Sequence, residues 1–187
     1  RRRRNLANEI DSLYSNTLTY FVLYFVSFAL TILLIAVFAI DDNVGGAILT
    51  VIFGALATVA FAIVHIVNWC KLHYRYWLVV NERTGFREVS PDQAVGFLFI
   101  PFYNLYWRFR SYQKLSELLN AELKKDKYEG RGPRVDEGTT SAMCVLSIVT
   151  IVPYLGVLVA LVNIFLWFNV YSMHRKAVTF MLRHPTA

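Results

Sequence analysis

His65 is the residue of this chain best placed to do chemistry. It is the single ionisable side chain between Gly46 and Cys70, and such a group inside a long apolar run marks a functional candidate by default. Asn68 is its nearest polar neighbour, and no carboxylate or second histidine shares its apolar run, so an interfacial polar residue is the competing reading. His73, His174 and His184 fall at interfaces or near the chain end. No spacing of Cys, His, Asp and Glu matches a metal site. Ser27, Thr31, Thr50, Thr58, Ser147 and Thr150 sit in apolar stretches, and no base is positioned to activate them. Cys70 and Cys144 are too few for a disulfide framework and read as small buried hydrophobes. No phosphate-cradling glycine loop or dinucleotide fingerprint occurs. The expectation is a chain that is not an enzyme, with no catalytic residue, no metal and no cofactor. Asn163 and Asn169 suit hydrogen bonding between helices or the lining of a polar path, and packing is the simpler use.

The elements that must carry these residues follow from composition. Of 187 residues, 56% are hydrophobic and only 17% charged, against about 25% charged in a soluble domain. The apolar residues lie in long charge-free blocks, which excludes a soluble globular fold and intrinsic disorder alike. Leu18 to Ile40 carries no charge and rises roughly 34 Å as a helix, enough for a hydrocarbon core of about 30 Å. Asp41, Asp42 and Asn43 stop it, and Gly45-Gly46 is expected to make a tight turn. Gly46 to Cys70 is the second span. Gly46, Thr50, Gly54, Thr58 and Ala62 recur every four residues along it, giving one helix face small side chains that let another helix approach. That face is expected to pack on the first helix or across a homo-oligomer. The helix is expected to run on to about Asn81 and end at Gly85, a short hairpin across Asn81–Gly85 being the alternative, with Trp69 and Trp77 at the lipid interface. Arg1 to Arg4 and Asn5–Thr17 do not read as a cleaved signal.

Ser90-Pro91-Asp92-Gln93 predicts a capped helix start, with Pro at the first helical position and Gln three residues after Ser. The apolar run 91–107 behind it is short for a span, and Pro101 breaks it. Irregular backbone at membrane depth persists only where protein or water satisfies it, and Asn104 could supply that partner. A re-entrant segment is therefore expected, with Pro101, Asn104, Tyr106 and Trp107 as its functional candidates and Arg108 and Arg110 at the lipid interface. A tilted span is the alternative. Trp77 and SPDQAVGFLFIPFYNLYWRF, Ser90 to Phe109, resemble an uncharacterised family of bacterial polytopic membrane proteins. There, Ser/Thr-Pro precedes an Ala-Val-Gly-Phe run and an Ile-Pro-Phe-x-Asn-x-Tyr-Trp core follows. The resemblance covers roughly Val67 to Asn120. It implies a multi-pass protein of the bacterial inner membrane and brings no established activity. Members of that family often carry a soluble N-terminal module, and the residues before Leu18 do not read as one.

Residues 108–123 place Phe109, Tyr112, Leu115, Leu119 and Leu123 at helical spacing, an amphipathic helix for a membrane surface or for packing on a neighbour. A charged linker, 124–138, follows. The stretch 139–173 is charge-free, too long for one comfortable span and barely enough for two, and Pro153-Tyr154 is expected to interrupt it. The fold class read from the sequence is thus an all-α polytopic membrane bundle forming a single domain over 1–187. The first loop has none of the nineteen Lys and Arg residues, which places the N-terminus in the cytoplasm. If both later segments crossed once, the eight basic residues from Arg108 to Arg134 would lie outside; if both were hairpins, all nineteen would lie inside. The net charge of +6 then reflects membrane topology and attraction to anionic lipid, not nucleic-acid binding. As function, the pattern favours a non-enzymatic module in the lipid bilayer that oligomerises and docks a cytoplasmic protein partner. A small ion channel or transporter subunit built on Pro101 and Asn104 is the alternative.

Overall fold

The computed structural model describes residues 2–41, 43–125, 128, 132–152 and 155–184, and every regular element among them is helical. Helix α1 spans Arg2–Ile40 and α2 spans Val44–Thr84; both are long and apolar enough to cross a membrane. Helix α1 contains no Gly or Pro and so nothing that would interrupt it, and it begins well before the span expected from Leu18. The described residues divide into two compact units, residues 12–71 and residues 1–11 together with 72–187.

The first unit is a helical hairpin. His65 Nδ1 lies 3.0 Å from the Thr17 carbonyl oxygen, and the Ser27 and Thr58 hydroxyls meet at 3.1 Å. At the far end Gly46 faces Phe38, and a Cβ on Gly54 would collide with the Thr31 side chain. The small-residue face of α2 is therefore filled by α1 of the same chain. Of the two packings expected of this face, the one on the first helix is what Gly46, Gly54 and Thr58 serve. The turn is also tighter than expected. Asn43 caps α2, its side-chain oxygen accepting the Gly46 amide at 2.9 Å and its carbonyl the Ala47 amide at 3.0 Å. Gly45 and Gly46 thus lie inside the first turn of α2, and Asp42 lies outside the described residues. The outward faces are apolar and open: Phe53 is 67% exposed and Leu33 59%, and none of the most apolar window of either helix is buried.

The second unit has an aromatic and polar core. Helix α2 ends at Thr84, and Gly85 takes a positive φ of 71°, the left-handed cap that glycine allows at no steric cost. Helix α3, Pro91–Gly96, starts on the expected capping box: Ser90 accepts the Gln93 amide at 3.1 Å, and Gln93 accepts the Ser90 amide at 3.0 Å. A 3₁₀ turn, Phe97–Phe99, then leads to Pro101. The Tyr103 amide bonds the Pro101 carbonyl at 2.7 Å across Phe102, whose φ is 60°. This is a three-residue turn of the rare strained kind. Helix α4, Tyr103–Arg108, continues through a π-turn, Phe109–Gln113, into α5, Lys114–Leu123. Helices α6, Glu137–Val149, and α7, Leu155–Arg183, pack on each other and on this rod. Gly156 sits where a Cβ would strike the Thr150 backbone, so the chain reverses there at a close approach that requires glycine. Pro153 and Tyr154, on which the interruption was expected, lie outside the described residues.

One expectation is overturned here. Trp77 is not an interface residue: it is fully buried, and its indole N–H donates to the Ser111 carbonyl at 3.0 Å. Of the two readings of the amphipathic helix, packing on a neighbour is the one seen, because Leu115, Leu119 and Leu123 are buried against α6 and α7. Neighbouring helices cover the apolar stripe that lipid would otherwise cover.

Candidate functional site

Two serines five residues apart organise the second unit. In an uninterrupted α-helix such residues point about 140° apart. The π-turn closes with the Lys114 amide on the Phe109 carbonyl and takes up one extra residue, and both Ser111 and Ser116 are fully buried. The Ser111 hydroxyl donates to the Ala94 carbonyl at 2.9 Å, which assigns the donor role at 2.6 Å to Nε2 of His73. The Ser116 hydroxyl meets His174 Nε2 at 2.8 Å, the Thr140 hydroxyl at 3.0 Å and the Tyr112 carbonyl at 3.2 Å. The Thr140 hydroxyl also reaches the Asp136 carbonyl at 3.2 Å, and one serine links α5 to both α6 and α7. The Tyr112 and Tyr171 hydroxyls pair at 2.9 Å beside it. Burial pushes both imidazoles down to about 3, and the proximity of His174 adds to the effect at His73. Serine and histidine at such distances resemble a nucleophile and its base. Here both hydroxyls and both rings are closed off from solvent, so the arrangement ties helices together and offers no entry to a substrate.

The open feature of the same unit is a cleft of about 730 Å³ lined by Arg2, Arg3, Arg75 and Arg83, with Glu9 and Glu82 among them. Arg75 pairs with Glu9 at 2.8 Å, and Arg83 donates to the Met181 carbonyl at 3.1 Å. Nearby, Asp11 joins Arg175 at 3.0 Å and Arg183 at 2.8 Å. Four guanidiniums against two carboxylates leave the cleft positive, suited to carboxylates or phosphates.

The residues singled out in the sequence are dispersed. His65 is held by Thr17 within the hairpin, while Asn68 bonds back to Val64 of its own helix at 2.9 Å. Trp69 is half-buried. In the broken segment, Pro101 and Tyr106 are exposed, Asn104 is half-buried, and Trp107 is buried against Phe97 and Tyr103. Arg108 is half-buried, and Arg110 pairs with Glu88 at 3.2 Å. Asn163 donates to the Ser147 hydroxyl at 2.9 Å, a cross-helix bond, whereas Asn169 bonds its own helix at Phe165. Among the described residues no group of His, Cys, Asp and Glu is arranged to hold a metal. Sequence reasoning missed the Ser111 and Ser116 hubs, although Ser116 interrupts the apolar stripe of α5 and so offered a signal. It also missed the arginine cleft, whose members are far apart in the chain. No family model, curated protein or solved structure compared with the chain matches it.

Proposed function

We propose that this chain is a non-enzymatic integral membrane module, anchored by the spans Leu18–Ile40 and Gly46–Cys70, that docks a partner bearing acidic groups in its arginine cleft. One observation carries the membrane reading: the most apolar windows of α1 and α2 have no buried residue. A soluble protein does not leave so large a continuous apolar surface open to water, whereas acyl chains cover it. The resemblance over Ser90 to Phe109 fits the same placement in a bacterial inner membrane. The basic residues flanking both spans, against none in the Asp41–Asn43 loop, favour a cytoplasmic N-terminus and cleft.

The docking reading rests on the surplus of guanidinium groups around a cleft of about 730 Å³. Arg75 and Arg83 project from the part of α2 that continues beyond the second span, so a partner bound there is held beside the membrane. A photo-crosslinking residue at Glu82 tests it in cells. The expected outcome is a discrete crosslinked product that is lost on Arg75→Glu/Arg83→Glu, with the protein still membrane-integrated. A crosslink unaffected by charge reversal, or none at any level of expression, overturns the docking reading. Release of the unaltered protein from membranes by alkaline carbonate overturns the anchor.

A further inference from the structure

From hydrogen bonds inside the second unit we infer that the chain crosses the bilayer only twice, and that segments 95–110 and 141–173 dip into one leaflet and return. The inference rests on the membrane reading above and adds where the remaining apolar surface goes.

For the third segment, the deciding contact joins its two ends. The Ser111 hydroxyl donates to the Ala94 carbonyl at 2.9 Å, so the chain leaves and re-enters the polar core at one level. A transmembrane passage would part these residues by about 30 Å. Arg110 on Glu88 fastens the same junction at 3.2 Å. For the fourth segment, a single hydroxyl decides. Ser116 binds Thr140, near the start of α6, and His174, in the last part of α7, at 3.0 and 2.8 Å. The entrance is held further by Asn120, which bonds the Val135 carbonyl and Glu137 at 2.7 Å each. The exit is held by Asp11 on Arg175 and Arg183. Asp11 belongs to the stretch that precedes the first span, so the end of α7 lies on the same side of the membrane as residues 1–11. Helix α6, with 13 residues, rises about 20 Å, short of a crossing.

What lies between these fastened ends is apolar and open. Phe102 is 88% exposed at the apex of its strained turn, with Phe99, Tyr103 and Tyr106 exposed around it. Ile151 and Val152 are exposed at the α6–α7 reversal, and Leu161 and Phe165 at 69% and 68% on α7. No charged residue occurs between Asp92 and Arg108 or between Glu137 and His174. An aqueous partner would leave these loop ends in water when it departed, whereas the acyl chains of one leaflet cover them permanently. Buried backbone at that depth finds its partners within the protein, as it must: the Ile100 amide bonds Phe97 and the Asn104 amide bonds Ile100. All nineteen Lys and Arg residues then fall on one side, the distribution expected of cytoplasmic segments.

Single cysteines in the full chain, with Cys70 and Cys144 replaced by Ser, test this in right-side-out and inverted membrane vesicles. An impermeant maleimide is expected to label Lys124→Cys and His184→Cys from one side and Asn43→Cys from the other. A fluorophore on Phe102→Cys or Ile151→Cys is expected to be quenched by nitroxide on acyl chains of the Lys124 side only, and to resist the maleimide from both sides. Tyr106→Cys replaces Phe102→Cys if that variant does not fold. His184→Cys labelling from the Asn43 side, or aqueous labelling of Phe102→Cys and Ile151→Cys, overturns the inference while leaving the two-span anchor intact. Asn43→Cys and Lys124→Cys labelling from one side instead removes the anchor itself.

Discussion

At the scale of the residue, the buried hydroxyls and imidazoles of the second unit dominate. Replacing Ser116 by Ala leaves His174 Nε2 without its partner in a site closed to water, while the Thr140 hydroxyl keeps the Asp136 carbonyl at 3.2 Å. Stranding a buried polar group costs about 1–3 kcal/mol, so Ser116→Ala should lower the denaturation midpoint in detergent clearly more than Ser141→Ala, a half-buried serine whose hydroxyl bonds only its own helix at Glu137. Acid should act through the two imidazoles. Both are held neutral down to about pH 3, against an ordinary pKa of 6.5, so unfolding takes up protons between these values. Stability is then complete above about pH 6.5 and falls as pH drops toward 3, by about 1 kcal/mol per pH unit for each ring. Thermal midpoints followed from neutral pH to about pH 5 should show this slope, and it should flatten in His73→Gln/His174→Gln. The Ser90–Gln93 cap was legible in the sequence because its partners lie three residues apart. The His73–Ser111 and His174–Ser116 pairs were not, because 38 and 58 residues separate them and no local pattern announces such a partner.

At the scale of the element, helix identity and the hairpin were legible while helix surroundings were not. The four-residue recurrence of Gly46, Thr50, Gly54, Thr58 and Ala62 marked the packing face of α2. That α1 meets this face rests on contacts with Thr31, Ser27 and Phe38, which the recurrence does not encode. Gly54→Leu should therefore strain the hairpin itself, at a cost of about 1–3 kcal/mol for overpacking. Disulfide formation between Ser27→Cys and Thr58→Cys should proceed readily in the parent and fall sharply with Leu at 54; an unchanged yield would contradict the close approach. Trp77 misleads, and the 108–123 helix leaves two readings open, for a shared reason. An aromatic ring just past a span, or a helix with one apolar face, has the same sequence whether lipid or protein covers it. Burial beneath Ser111, α6 and α7 decided both. The π-turn at Phe109–Gln113 leaves no mark in composition, yet it turns two serines toward one core.

At the scale of the whole molecule, the sequence conveyed two helices long and apolar enough to cross a membrane, with further apolar stretches of unequal length. It did not convey that the short stretches begin and end on common anchors, because that depends on bonds closed across the fold. The most distant of these ties Asp11 to Arg175 and Arg183, 164 and 172 residues further along the chain. Asp11 leaves the ribosome long before either of its guanidinium partners. The clasp they form therefore cannot close until α7 has been translated, and until then α1 carries an unmatched carboxylate.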